Sequence, residues 1–315
     1  MPLSLSVKEN YLEAVKYGNP EYVPMACEPV WHGISFSDIL KFENRTDRFG
    51  IRWEMGMDGV VPFPKGNPLA DIINQLDKYK FPDPDGLIMN PGVLDGLKSI
   101  DRNNYLIVGS MTYFCFERAW ALMGMDNFLA AIIEFPDEIH YMLHELAKYA
   151  RGVFDRYLEM GVDAVSFSED LGTQKALMMS PAHFREFFIP EYKYAFENVL
   201  KENKIINFHS CGCVTEIAGD LAEIGVTVLN PVQARANDLN RIKQDVYGKT
   251  ALEGGIDTHL IMTGTPGEVR KEVIRVMEIL KPGGGYICGT DQYFPNMPEE
   301  NMQMLWKTAK EFGKY

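Results

Sequence analysis

Cysteine is scarce in this 315-residue sequence: five residues, Cys27, Cys115, Cys211, Cys213 and Cys288. So odd and sparse a count argues against a disulfide framework and makes reduced thiols, and with them a cytoplasmic location, the expectation. No apolar run approaches the ~20 residues needed to span a bilayer. The stretch 1–17 is amphipathic and lacks the apolar centre of a secretory signal. Lys and Arg form no run, and 31 of them face 44 Asp and Glu for a net charge of -13. Neither nucleic acid nor an anionic membrane surface is therefore an expected partner. No GxGxxG follows the first expected strand, which leaves a Rossmann domain unsupported. Gly283-Gly284-Gly285 precedes a strand and so reads as a turn, not as a phosphate cradle.

What is present is alternation. In the second half, helical patterns at 137–159, 181–200, 215–224, 238–246 and 265–281 are interleaved with apolar runs at 161–167, 205–208, 226–229, 250–252 and 286–288. Ser180-Pro181 and Thr265-Pro266, the latter with Glu268, carry the caps expected of helix starts. The first half is less regular, with strands expected at 22–27, near Val60 and at 105–108. About eight strands joined by single helices imply parallel pairing with right-handed crossovers. The length suits one α/β TIM (β/α)8 barrel, 1–315, with about 1–20 as a helical extension.

In such a barrel the chemistry sits at the C-terminal ends of the strands. There the sequence offers Ser168-Glu169-Asp170, His209-Ser210-Cys211-Gly212-Cys213, Asn230-Pro231-Val232-Gln233, Glu253 and Asp257, and Cys288 followed by Asp291-Gln292. Imidazole, thiolates and carboxylates are the donors of zinc, and soft thiolates favour it over magnesium or manganese. In an extended segment His209, Cys211 and Cys213 face one way, and a sulfur from the last strand, Cys288, is expected to meet two of them. Glu169 is the expected fourth ligand. The competing reading is that Cys288 is core packing, since cysteine is among the most buried residues.

Phe208-His209-Ser210-Cys211-Gly212, Leu229-Asn230-Pro231-Val232-Gln233, Gly254-Gly255-Ile256-Asp257 and Pro282-Gly283-Gly284-Gly285-Tyr286 resemble the uroporphyrinogen decarboxylase superfamily. Asp170-Leu171-Gly172-Thr173-Gln174, Phe184-Arg185-Glu186-Phe187 and Phe49-Gly50-Ile51-Arg52-Trp53-Glu54 are similar to the same group, so the resemblance spans nearly the whole chain. Within it, a zinc methyltransferase branch carries His-x-Cys and a distant Cys, which His209, Cys211 and Cys288 match in type and order. That branch includes methylcobamide:coenzyme M methyltransferases and corrinoid-linked demethylating methyltransferases. The resemblance therefore implies Zn²⁺ as Lewis acid, methylcobamide supplied by a partner corrinoid protein, and a small-molecule methyl donor or acceptor. Cys213 has no counterpart in the pattern.

Tyr113, Phe114 and Glu117 follow one strand, and Trp53 and Glu54 follow another, so they are expected to line a substrate pocket with Gln174, Asp257 and Asp291. Two further readings stand beside this one. A metal-free decarboxylase of the same superfamily would need arginines after the first strand to hold substrate carboxylates, and Cys27-Glu28-Pro29-Val30-Trp31-His32-Gly33 has none. A zinc-stabilised scaffold would show closed, four-coordinate metal.

Overall fold

The computed structural model describes residues 4–36, 44–56, 62–89 and 91–315. The expected strand near Val60 lies outside the described residues. Seven strands form one parallel sheet: β1 (Trp31–Ser35), β5 (Leu106–Met111), β6 (Ala164–Ser168), β7 (Ile205–His209), β8 (Val228–Val232), β9 (Ala251–Ile256) and β10 (Tyr286–Thr290). They follow one another in that order, with helices between, and the sheet curls into a TIM-barrel-like α/β fold.

The expected strand at 22–27 shrinks to two isolated bridges, Tyr22 antiparallel to Lys314 and Met25 parallel to Cys288. The Cys288 N–H donates to Pro24 O at 2.8 Å, and its carbonyl accepts from Ala26 N–H at 2.9 Å. Pro24 has no N–H to extend the ladder, and a turn returning Glu28 N–H to Met25 O ends it. Between β1 and β5 the chain forms a small antiparallel sheet that periodicity did not reveal: β2 (Arg45–Thr46), β3 (Arg52–Glu54) and β4 (Phe63–Gly66).

The expected helix at 181–200 is two, Pro181–Phe187 and Ile189–Lys201. Pro190 lacks the N–H that would carry one helix through the junction. The helix expected from Thr215 begins at Ala218, because the Thr215 hydroxyl is engaged with Asn237 Oδ1 and Asp238 N–H. The caps at Ser180 and Thr265 form as expected, the second as a full capping box.

Alternation along each strand sorts the residues into two cores. Val165, Phe167, Ile206, Phe208, Leu229 and Leu252 face the helices. Ala164, Ile205, Val228, Ala251 and Ile287 face inward and form a separate cluster. The helix Val7–Val15 closes the bottom of that interior with Tyr11 and Val15. The barrel is thus sealed with apolar side chains at the strands' N-terminal ends, and its polar inward positions are at the other end. Among the described residues, no helix is long and apolar enough to cross a membrane.

Candidate metal centre

The register of β6 and β7 pairs Ser168 with His209. Two residues beyond each partner lie Asp170 and Cys211, with the same facing. The two loops they start are held against each other. Ser210 Oγ accepts from Leu171 N–H at 3.1 Å, and the Cys211 N–H donates to Asp170 Oδ1 at 2.7 Å. Gly212 has φ +86, and a Cβ there would lie 2.0 Å from Gly172 O, so no other residue permits this approach.

Asp170, His209 and Cys211 consequently converge, with ligand atoms all within 4.8 Å of one another. His209 Nε2 lies 3.6 Å from Cys211 Sγ and 3.8 Å from Asp170 Oδ1. A tetrahedral zinc with its usual Zn–S and Zn–N bond lengths has an S···N edge of about 3.6 Å and an N···O edge of about 3.4 Å. The donor set and its spacing therefore fit that ion. Three protein ligands leave the fourth position to water or substrate, the pattern of catalytic zinc. Burial and then the Asp170 carboxylate push the Cys211 thiol up to about 12. A cation opposes that push, because thiolate is the form that binds metal. The Gln292 side-chain amide also reaches Cys211, with Nε2 at 3.3 Å from Sγ.

Two clefts meet at this cluster. One, of about 770 Å³, is lined by His209, Asn230, Glu253, Asp291, Met302 and Trp306 among others. The other, of about 680 Å³, is lined by Asp170, Gln174, Cys211, Arg235, Asp257 and Asp291 among others. Of the expected pocket residues, Gln174, Asp257 and Asp291 do face these clefts. Gln174 donates to Gln233 Oε1, and Asp257 caps the helix Thr258–Thr263. Burial pushes the Asp291 carboxyl up to about 7.

Several expectations are corrected by the structure. Cys288 does not join the cluster. Its neighbour Ile287 faces the barrel interior, so Cys288 faces outward with Tyr286 into the helix-side core, where it is fully buried. Cys213 does not join it either, because the backbone turns at Gly212. Glu169 also faces outward. Its carboxylate accepts from the N–H groups of Cys115, Phe116 and Glu117 and from Tyr192 Oη, capping the helix Phe116–Met123. Burial still pushes it up to about 7. The carboxylate at the cluster is its neighbour Asp170, which strand parity could have selected.

Tyr113, Phe114, Glu117, Trp53 and Glu54 line neither cleft. Phe114 packs in the core against the tilted rings of Phe167 at 4.6 Å and Tyr192 at 5.0 Å between ring centroids. Trp53 is buried edge-on against Tyr113 and donates from Nε1 to Asp47, which also pairs with Arg118. Glu117 is buried, and its pKa is raised by that burial and by the nearby Asp170 and Glu169. Glu54 pairs with Arg52 in solvent.

Fold and site together define an α/β-barrel protein with an imidazole–thiol–carboxylate cluster at the strands' C-terminal rim. The family described as Uroporphyrinogen decarboxylase (URO-D) matches residues 34–312. The chain belongs to that family. It is 24% identical over 321 residues to a uroporphyrinogen decarboxylase of Protochlamydia amoebophila (strain UWE25), covering 97% of this chain and 83% of that one. Among solved structures it is similar to a methyltransferase from Methanosarcina mazei, with a TM-score of 0.70 and 18% identity, over 98% of this chain and 99% of that one. At that identity the likeness establishes the shared fold.

Proposed function

We propose that this protein is a methyltransferase that holds Zn²⁺ with His209, Cys211 and Asp170 and moves a methyl group between a small substrate and a corrinoid protein. The observation that carries the proposal is the spacing of three zinc-type donors around one point on the open rim, facing two clefts. The family membership and the overall likeness to the Methanosarcina methyltransferase are consistent with it. Zn²⁺ bound there supplies Lewis acidity that stabilises a thiolate or alkoxide, the nucleophile or the leaving group of methyl transfer. The protein's own groups provide the rest. Gln292 donates its amide to the Cys211 sulfur, and the two adjoining clefts give room for a small molecule and for a cobalamin-bearing partner at one centre.

The decarboxylase reading draws support from the Protochlamydia relative. The larger cleft speaks against it: among the described residues its lining holds Glu253, Asp291 and Glu299 and no Lys or Arg, the cations Lys175 and Arg235 lying in the adjoining cleft, and a polycarboxylate needs cationic clamps. Metal analysis after purification tests the proposal. One zinc per chain is expected in the wild type and none in a His209→Ala/Cys211→Ala double variant. A wild-type protein that binds no zinc, or that turns over porphyrinogen without it, sinks the proposal.

A further inference from the structure

The interior of the barrel behind His209 carries a hydrogen-bonded chain that the metal set does not use. His209 Nδ1 lies 2.9 Å from Asn230 Oδ1, and Asn230 Nδ2 donates to Glu253 Oε1 at 2.7 Å. These residues occupy inward positions on three neighbouring strands, β7, β8 and β9. The chain has a direction. The amide nitrogen of Asn230 faces Glu253, and its hydrogen bond favours the ionised carboxylate, which only accepts, against the burial that raises its pKa. The amide oxygen must then face His209, and it too only accepts. The proton of a neutral His209 is thereby placed on Nδ1, and the lone pair on Nε2, the nitrogen beside Cys211 and Asp170.

We infer that Asn230 and Glu253 are positioning residues that fix the tautomer and ring orientation of His209 for metal binding. The inference rests on the zinc reading for its purpose, but the tautomer itself is a property of the metal-free chain. Alternatives for the two residues are weaker. Asn230 does not bridge backbone groups through its side chain, as a structural asparagine such as Asn237 does with Gly212 O and Gln233 O. Burial pushes the Glu253 carboxyl up to about 7, a cost that an apolar residue at this interior position would avoid. Outer partners of this kind typically change metal affinity 10–100-fold when removed.

The test has two arms. Long-range ¹H–¹⁵N spectra of the metal-free protein, with His209→Ala identifying the signal, should show the Nδ1–H tautomer. Chelator competition with Zn²⁺ should show affinity falling about 10–100-fold in Asn230→Ala and returning in an Asn230→Asp/Glu253→Gln double variant, whose aspartate accepts from Nδ1–H on one side and from the new amide on the other. Glu253→Leu should fall between wild type and Asn230→Ala, since Asn230 then loses the acceptor that orients it. Melting curves check that each variant is folded, and the Asn230→Asp/Glu253→Gln double variant keeps the test decisive where the alanine variant unfolds. An Nε2–H tautomer in the wild type overturns the inference, as does unchanged zinc affinity in Asn230→Ala. Failure of the wild type to bind zinc at all, with the Nδ1–H tautomer present, instead overturns the zinc proposal and leaves the positioning chain standing.

Discussion

The same strands end in two different chemistries. At the floor of the barrel the inward residues are Leu106, Ala164, Ile205, Val228, Ala251 and Ile287, sealed by Tyr11 and Val15. One or two inward positions further along they are Ser168, His209, Asn230 and Glu253. The difference teaches that one end secures the fold and the other is free to be polar. Apolar burial at the floor, about 25 cal/mol per Å², does not depend on the rim. Substitutions at the two ends should therefore separate into losses of metal without stability and losses of stability without metal.

The largest effect is expected at the rim. Cys211→Ala should abolish zinc binding and lower methyl transfer by about 10³-fold, the equivalent of several kcal/mol of Lewis-acid stabilisation. Melting of the metal-free protein should hardly change, because Cys211 is only partly buried and its side chain packs at the open rim. At the floor, Leu106→Ala should cost about 2–5 kcal/mol in denaturant unfolding and leave zinc stoichiometry at one. A floor variant that loses metal while keeping its stability breaks the comparison.

Parity explains both what the sequence made legible and what it hid. The second-half strands are short apolar runs after clear helices, so their order and the rim position of His209 and Cys211 could be read directly. Facing could have been read as well. Val165 and Phe167 are the apolar, helix-facing residues of β6, so Glu169 continues outward and Asp170 inward. Rim position alone does not distinguish two adjacent carboxylates; facing places Asp170, and not Glu169, beside His209 and Cys211. Cys288 failed for the same reason, one residue out of phase with Ile287. Phe114 was hidden by a different cause. The chain turns at Tyr113, which has φ 56, and no residue type there announces a left-handed backbone. The turn sends the ring into the helix layer and away from the mouth. The β2–β4 sheet was illegible because its strands span two to four residues, too few for alternation to register.

Lys243 sharpens the comparison from below. On the helix Leu239–Val246 it is buried, donates to Gly284 O in the triple-glycine turn, and lies near the rings of Tyr17 and Tyr247. Burial lowers its pKa from 10.5 to about 8. Between those values the unfolded chain holds a proton that the folded chain has released. Stability from this group therefore rises with pH across that window. Lys243→Met removes the burden, so the variant should be more stable than wild type at pH 7, on the order of 1–2 kcal/mol after solvent screening. The gap should close as pH approaches 10.5, and zinc binding should not follow it. Parallel wild-type and variant stability curves over this range would show that Lys243 carries no buried charge.

The smallest effect, and the most discriminating, is expected at Cys288. Two physical readings of this residue make opposite demands. As a ligand its sulfur must reach the sphere of His209 and Cys211, so its removal should empty the site as completely as Cys211→Ala does. As packing it contributes only the contacts of a small buried group, whose loss costs about 1 kcal/mol. The backbone decides between them: Cys288 pairs with Gly254 on one side and Met25 on the other, and that pairing fixes its facing by strand alternation. Rotation of χ1 cannot carry an outward sulfur through the sheet to an inward histidine. Cys288→Ala should therefore keep one zinc per chain, measured by mass spectrometry on the folded protein. Loss of the metal with melting unchanged would return the sulfur to the coordination sphere and require β10 to shift its facing by one residue relative to β9.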